Sequence, residues 1–140
     1  MEGLIALDLD GTVIHGSQPI SATYARYLEN KVKAGFKLLF ISGRTATWMI
    51  KQLEGLKCHY DIAAQNGADL IKMPEKEVVY SESLNPELIL KAQALIDHPF
   101  VVYTGFKEGD AVYWNPSSIE PGLRDYLTRR KNSFKERLFG

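Results

Sequence analysis

Leu4-Ile5-Ala6-Leu7-Asp8-Leu9-Asp10-Gly11-Thr12 decides how the rest of this 140-residue chain reads. It begins as an almost unbroken apolar run, the pattern of a strand buried on both faces of a parallel sheet. It ends in two carboxylates, a glycine and a threonine. Asp8 and Asp10 stand two apart, so a strand projects both to one side. Gly11 permits a turn that a Cβ would hinder. In open α/β sheets, ligands bind outside the carboxyl ends of the strands. Two acids placed there repel each other unless a cation or a shared proton offsets the charge. Two readings stay open on these residues alone. One is a divalent-metal site in which a carboxylate is a nucleophile; the other is a strand that simply ends in an acidic Asp-Gly turn.

The next elements extend the pattern. Ser21 fits the N-cap of a helix running to about Ala34, with Tyr24, Tyr27, Leu28 and Val32 as its apolar stripe and Gly35 as its stop. Phe36-Lys-Leu-Leu-Phe-Ile41 is a second short strand. Strand, helix, strand is a βαβ unit, which predicts parallel strands and a right-handed crossover. The second strand runs into Ser42-Gly43-Arg44-Thr45, followed by a helix with Trp48, Met49, Gln52, Leu53 and Leu56 on its buried face. A hydroxyl, a glycine and the first N–H groups of a helix suit a phosphate. Adjacent parallel strands would set Ser42 beside Asp8 and Asp10.

These motifs, in this order, resemble the haloacid dehalogenase-like (HAD) hydrolases. Asp8-Leu9-Asp10-Gly11-Thr12 is similar to their motif I, DxDGT, and Ile41-Ser42-Gly43-Arg44 to motif II. Tyr60-Asp-Ile-Ala-Ala-Gln-Asn66-Gly67-Ala68 resembles the third core strand and Asn-Gly-Ala turn of the Cof-type, type IIB cap subgroup. The resemblance implies a Rossmann-like parallel sheet carrying part of an α/β cap. It implies Asp8 as nucleophile, forming an aspartyl-phosphate, and Asp10 as general acid and base. Mg²⁺ would be held by the Asp8 side chain and the Asp10 backbone carbonyl. Gly11, Thr12, Ser42 and Gly43 would bind phosphate. Arg44 would either reach phosphate or pair with a core acid, and Asn66 and Gly67 would shape the pocket rim or begin the hinge toward the cap. The implied substrate is a small phosphorylated metabolite, a sugar phosphate by default.

Two parts of that pattern are missing. Motif III supplies a Lys or Arg beside the phosphoryl group, and motif IV, GDxxxD or GDxxND, an acid for the metal. Gly109-Asp110 is the only GD pair, lacks the second acid, and reads as a hairpin turn. The chain is therefore expected to be an N-terminal portion, whether a truncated form, a split gene product or a degenerate member. Residues 1–70 would be a core portion and 71–140 a partial cap-like segment, with the boundary between 70 and 85. Weak or no phosphatase activity is expected of the chain alone. The rival function is non-enzymatic: a HAD-derived binding or regulatory domain, or half of an assembly. Such a core should expose the edge and face of its third strand. A homo-oligomer or a completing chain would then cover them.

Further along, Asp69–Met73 and Glu77–Ser81 read as strands around Pro74. Asn85-Pro86 caps and starts a helix. Runs from 100 to 104 and 110 to 114 form a hairpin, and a last helix spans about 118 to 130. Length allows one domain that buries roughly two thirds of its unfolded surface. Net charge is zero, so no global field favours nucleic acid or anionic membranes. Cys58 is the only cysteine, which excludes an intrachain disulfide and fits a reducing cytoplasm. No apolar run approaches the ~20 residues of a membrane span. His15, His59 and His98 lack metal-ligand spacing. Phe100, Tyr103, Phe106, Tyr113 and Trp114 read as sheet packing, and the basic stretch from Arg129 to Arg137 as a solvated helix end.

Overall fold

The structure, a computed structural model, describes residues 2–95, 101–114, 121, 122, 125, 126, 129, 138 and 139. The opening run forms β1 (Gly3–Asp8), and α1 (Ala22–Lys33) follows. Ser21 caps α1 as the spacing expects: its Oγ accepts a hydrogen bond from the Tyr24 N–H at 3.2 Å. That satisfies one of the donors a helix start leaves open, and Lys31 and Lys33 complement the dipole at its other end. Then come β2 (Phe36–Ile41), α2 (Ala46–Gln52), β3 (Tyr60–Ala64), β4 (Asp69–Met73) and β5 (Glu77–Ser81).

These five strands form one sheet in the order β1-β2-β3-β4-β5. β1, β2 and β3 pair in parallel, each crossover carrying a helix, because parallel neighbours cannot be joined by a tight turn. β4 and β5 add in antiparallel fashion, and a single 3-10 turn at Gln65–Gly67 suffices between β3 and β4. The α/β class expected from the sequence is what forms, with the parallel part leading and an antiparallel pair at one side.

The core lies where α1 packs on β2 and α2 packs on β3. Leu28, Leu38, Phe40, Met49, Leu53, Ile62 and Ile71 are all fully buried there. β1 departs from its expected double burial: its residues alternate between half-buried and exposed, and Leu4 is 59% exposed. In-register pairing puts Leu4 opposite Lys37, Ala6 opposite Leu39 and Asp8 opposite Ile41, so these residues share one face. Ile41 on that face is also exposed. The edge expected to be open was that of the third strand; β4 covers it, and among the described residues β1 and β5 are the edge strands instead.

By compactness the chain divides into Met1–Ser81 and Glu82–Gly140. β4 and β5 belong to the first unit because their backbone bonds run to β3 and to each other. In the second, α3 (Pro86–Leu95) starts with Pro86 in its first turn, and the Asn85 side chain accepts from the Glu87 N–H at 2.9 Å. β6 (Val101–Tyr103) and β7 (Val112–Trp114) form the expected antiparallel hairpin, and β8 (Leu138–Phe139) pairs parallel with β7. Gly109-Asp110 sits in the hairpin connection, as its turn reading requires, with positive φ at both residues. The helix expected over 118–130 falls largely outside the described residues, as do His98, Phe100 and most of the basic stretch. Among the described residues, no helix is long and apolar enough to cross a membrane.

Candidate active site

Asp8 closes β1 in register with Ile41, the last residue of β2. The chain after β1 then folds into a tight knot around one carbonyl: Leu9 O accepts from the N–H groups of Thr12, Val13 and Ile14 at 2.9 to 3.2 Å. Leu9, Val13 and Ile14 are buried, so the apolar residues of this loop anchor it and its polar ones are turned outward. Asp8, Asp10, Gly11 and Thr12 are all exposed. Gly11 makes the bend at φ 83°, a conformation that costs an L side chain roughly 1–2 kcal/mol.

The β2–α2 loop supplies the facing half. Ser42 is buried, and its Oγ donates to Asp10 Oδ2 at 3.2 Å while accepting from the Arg44 N–H at 3.2 Å. Arg44 grips the same carboxylate: Nη2 lies 2.9 Å from Oδ1, and Nε lies 3.2 and 3.3 Å from Oδ2 and Oδ1. Of the two roles the sequence left open for Arg44, the structure displays pairing with an acid. The Arg44 hydrogen bonds hold the Asp10 carboxyl below its ordinary value of 3.8, against the opposing effect of partial burial; the charge of Arg44 and the Ser42 hydroxyl add to the lowering. Asp10 is thus held as an anion here, whereas its implied acid and base role needs the opposite shift. Asp8 is bonded more loosely, by the Thr12 hydroxyl at 3.4 Å.

Asn66 enters from the 3-10 turn after β3. Its N–H donates to Ser42 O at 3.0 Å, and the Gln65 N–H donates to Arg44 O at 2.9 Å, so this turn is strapped to the motif-bearing loop. A Cβ at Gly43 would stand 3.1 Å from Asn66 Oδ1, so the glycine is what lets the two approach. The structure therefore gathers Asp8, Asp10, Thr12, Ser42, Gly43, Arg44 and Asn66 at one end of the parallel strands. Sequence reasoning missed two parts: the strap through Gln65, and Trp48, whose ring lies 4.9 Å from the Arg44 guanidinium. The spacing of four between Arg44 and Trp48 was the available signal for the second.

Hard oxygen donors suit Mg²⁺, and the loop leaves such donors available. The backbone bonds on either side of Asp10 are made by Leu9 O and Gly11 N–H, bypassing the Asp10 carbonyl. The Asp8 carboxylate is exposed. Among the described residues, however, no group of three or more His, Cys, Asp or Glu could hold a metal. The donor set fits Mg²⁺ with most of its shell left to water and ligand. Elsewhere, His59 pairs with Glu75 at 3.3 Å, and burial, with Glu29 adding, pushes the Cys58 thiol up, the reverse of a reactive thiolate. A cavity of about 240 Å³ lined by Val32, Phe36, Leu38, His59, Tyr60 and Met73 among others opens near the start of β2 and β3, away from Asp8, Asp10 and Ser42.

A family model described as haloacid dehalogenase-like hydrolase matches residues 5–139. A protein of Buchnera aphidicola with a provisional phosphatase name is 23% identical over 128 residues, covering 91% of this chain and 47% of that protein. A similarly named protein of Mycoplasma pneumoniae is 24% identical over 107 residues, covering 74% of this chain and 38% of its own length. Among solved structures, a haloacid dehalogenase-like hydrolase from B. subtilis superposes with a TM-score of 0.67 at 20% identity, covering 96% of this chain and 45% of that one. A HAD subclass IIB sugar phosphatase gives 0.61 at 14% identity, with 100% and 53% covered. The chain thus spans less than half the length of these curated relatives and about half that of the solved chains.

Proposed function

This chain belongs to the haloacid dehalogenase-like hydrolase family, and we propose that it carries the nucleophile half of a Mg²⁺-dependent phosphatase acting on small phosphorylated metabolites. The observation that carries the reading is the convergence of Asp8, Asp10, Thr12, Ser42 and Arg44 at the carboxyl ends of β1 and β2. Asp8 is the nucleophile: exposed and lightly bonded, it is placed to attack phosphorus and form an aspartyl-phosphate. Asp10 accepts the proton of the water that hydrolyses this intermediate. To protonate the leaving alkoxide beforehand it must be released from Arg44 and take up a proton from solvent. The hydroxyls of Thr12 and Ser42 and the Gly43 N–H donate to phosphate oxygens, while the Gly11 N–H is taken by Ile14 O and serves the loop instead. The Asp8 carboxylate and Asp10 carbonyl would hold Mg²⁺, which supplies charge neutralisation between a carboxylate and a phosphate dianion. A sugar phosphate is the favoured substrate, in keeping with the sugar phosphatase among the structural neighbours. Nucleic acid and membranes are not its ligands, and its compartment is the reducing cytoplasm.

Turnover by this chain alone is expected to be slow. It lacks a GDxxxD acid, and one missing electrostatic donor at a transition state costs about 2.7–4 kcal/mol. The test is phosphorylation rather than turnover. With Mg²⁺ and acetyl phosphate, intact-mass spectrometry should show one added phosphoryl group on the chain, absent from Asp8→Asn. No adduct on the wild-type chain would sink the reading.

A second reading rests on the exposed Leu4 and Ile41 of the β1–β2 face and on the half-length match. In it, this module is finished by another chain, or by a second copy, that covers β1.

A further inference from the structure

Trp48 is 4% exposed on α2, which by itself describes an ordinary core residue. Its neighbour is not ordinary. The Arg44 guanidinium lies over the indole face at 4.9 Å, within the range of a cation–π contact. The same guanidinium holds both oxygens of Asp10 through Nε and Nη2. The Arg44 backbone is fixed at both of its polar groups, its N–H donating to Ser42 Oγ and its carbonyl accepting from Gln65. The long side chain is thus anchored at its root, and its planar head is backed by a buried ring. An aromatic face selects a planar, delocalised cation and fixes the plane in which it lies. That plane sets which way the fork of N–H donors points.

We propose that Trp48 is a positioning residue for the Asp10 carboxylate, acting through Arg44. The indole is a shelf: it holds the guanidinium flat and aims its fork at Asp10, so the carboxylate is fixed at the strand end beside Asp8. An apolar residue of similar burial fills the space but offers no face for the cation. The functional importance of this placement rests on the phosphatase reading above; the placement itself does not.

Nuclear magnetic resonance of the full chain, labelled in its arginine side chains and its aspartate carboxyl carbons, separates the two. The Arg44 Nε–Hε signal, identified by its loss in Arg44→Lys, is expected to be displaced from those of exposed arginines and slow to exchange with water. Asp10→Asn and Trp48→Leu should each return it to the exposed position, and Trp48→Phe should keep it displaced. The Asp10 carboxyl carbon should shift in Trp48→Leu toward its position in Arg44→Lys, which mere loss of packing would not produce. An Arg44 signal in Trp48→Leu unchanged from wild type overturns the proposal. If Trp48→Leu loses its dispersed amide spectrum, Trp48→Phe decides: a retained signal supports the shelf, and a lost one refutes it. Failure of Asp8 to take up a phosphoryl group would sink the phosphatase reading and leave these signals where they are.

Discussion

Arg44 and Asn66 show how single residues set this site. The Arg44–Asp10 pair is bidentate but more than a third exposed on each side, so the scale of surface ion pairs applies, about 0.2–1 kcal/mol. Its sign with pH follows from the lowered carboxyl of Asp10. The contribution is present above the unfolded carboxyl value, near 3.8, and is lost as pH falls through the lower folded one. The destabilisation of Arg44→Ala should therefore be larger at about pH 7 than in acid below the folded Asp10 value, where only its contact with Trp48 is lost, as read by urea unfolding. Asn66 adopts φ 59° and ψ 29°, the left-handed region that Asn tolerates better than other side chains. Asn66→Ala is expected to cost about 1 kcal/mol in urea unfolding, and Asn66→Gly much less. The placement of the acids and the hydroxyl together was legible in the sequence because it follows from strand period and from position at a strand end. The partner of Arg44 was not, since residues thirty-four apart meet only once β1 and β2 pair.

At the scale of elements, β2 and β3 are locked face to edge. The Phe40 and Tyr60 rings meet at 5.6 Å with planes 89° apart, a favourable aromatic geometry. Tyr60 is buried, and burial, with Cys58 adding, pushes its phenol up to about 12. A phenol raised above its unfolded value of 10.0 contributes stability that is intact below pH 10 and lost as pH rises toward 12. One pKa unit is worth about 1.4 kcal/mol, so the loss is on the order of 2 kcal/mol. Tyr60→Phe should remove that alkaline decline, a difference visible in urea unfolding compared at about pH 9 and pH 12. The elements themselves were readable: α1 with its Ser21 cap, the Gly109-Asp110 connection and the order of strands and helices all follow local rules. The strap from the Gln65–Gly67 turn to the Ser42 loop was not, because its bonds join backbone groups and leave no trace in side-chain identity.

For the whole molecule the decisive feature is the face of β1 and β2 that carries Leu4, Ala6, Leu39 and Ile41. Strands of a parallel sheet normally have both faces covered, and here Leu4 and Ile41 stand exposed at an edge that no described strand pairs. Fully burying one such side chain is worth about 1.5–3 kcal/mol, so covering several of them together contributes toward association. The purified chain is expected to self-associate with rising concentration in size-exclusion chromatography with light scattering. Leu4→Lys should shift it toward the monomer, because a charged edge resists pairing. A wild-type chain that stays monomeric at every concentration would contradict this.

The sequence by itself determined the α/β class, the parallel start of the sheet and the identities of the acids and hydroxyl at its end. Those are properties of hydrophobic period, turn residues and short spacing. Only the tertiary structure decided that Arg44 grips Asp10 over the ring of Trp48, that β4 rather than solvent lies beside β3, and that β1 is an edge strand among the described residues. Each of these depends on which distant segments become neighbours, and a strand's own residues do not say which of its two edges will be paired.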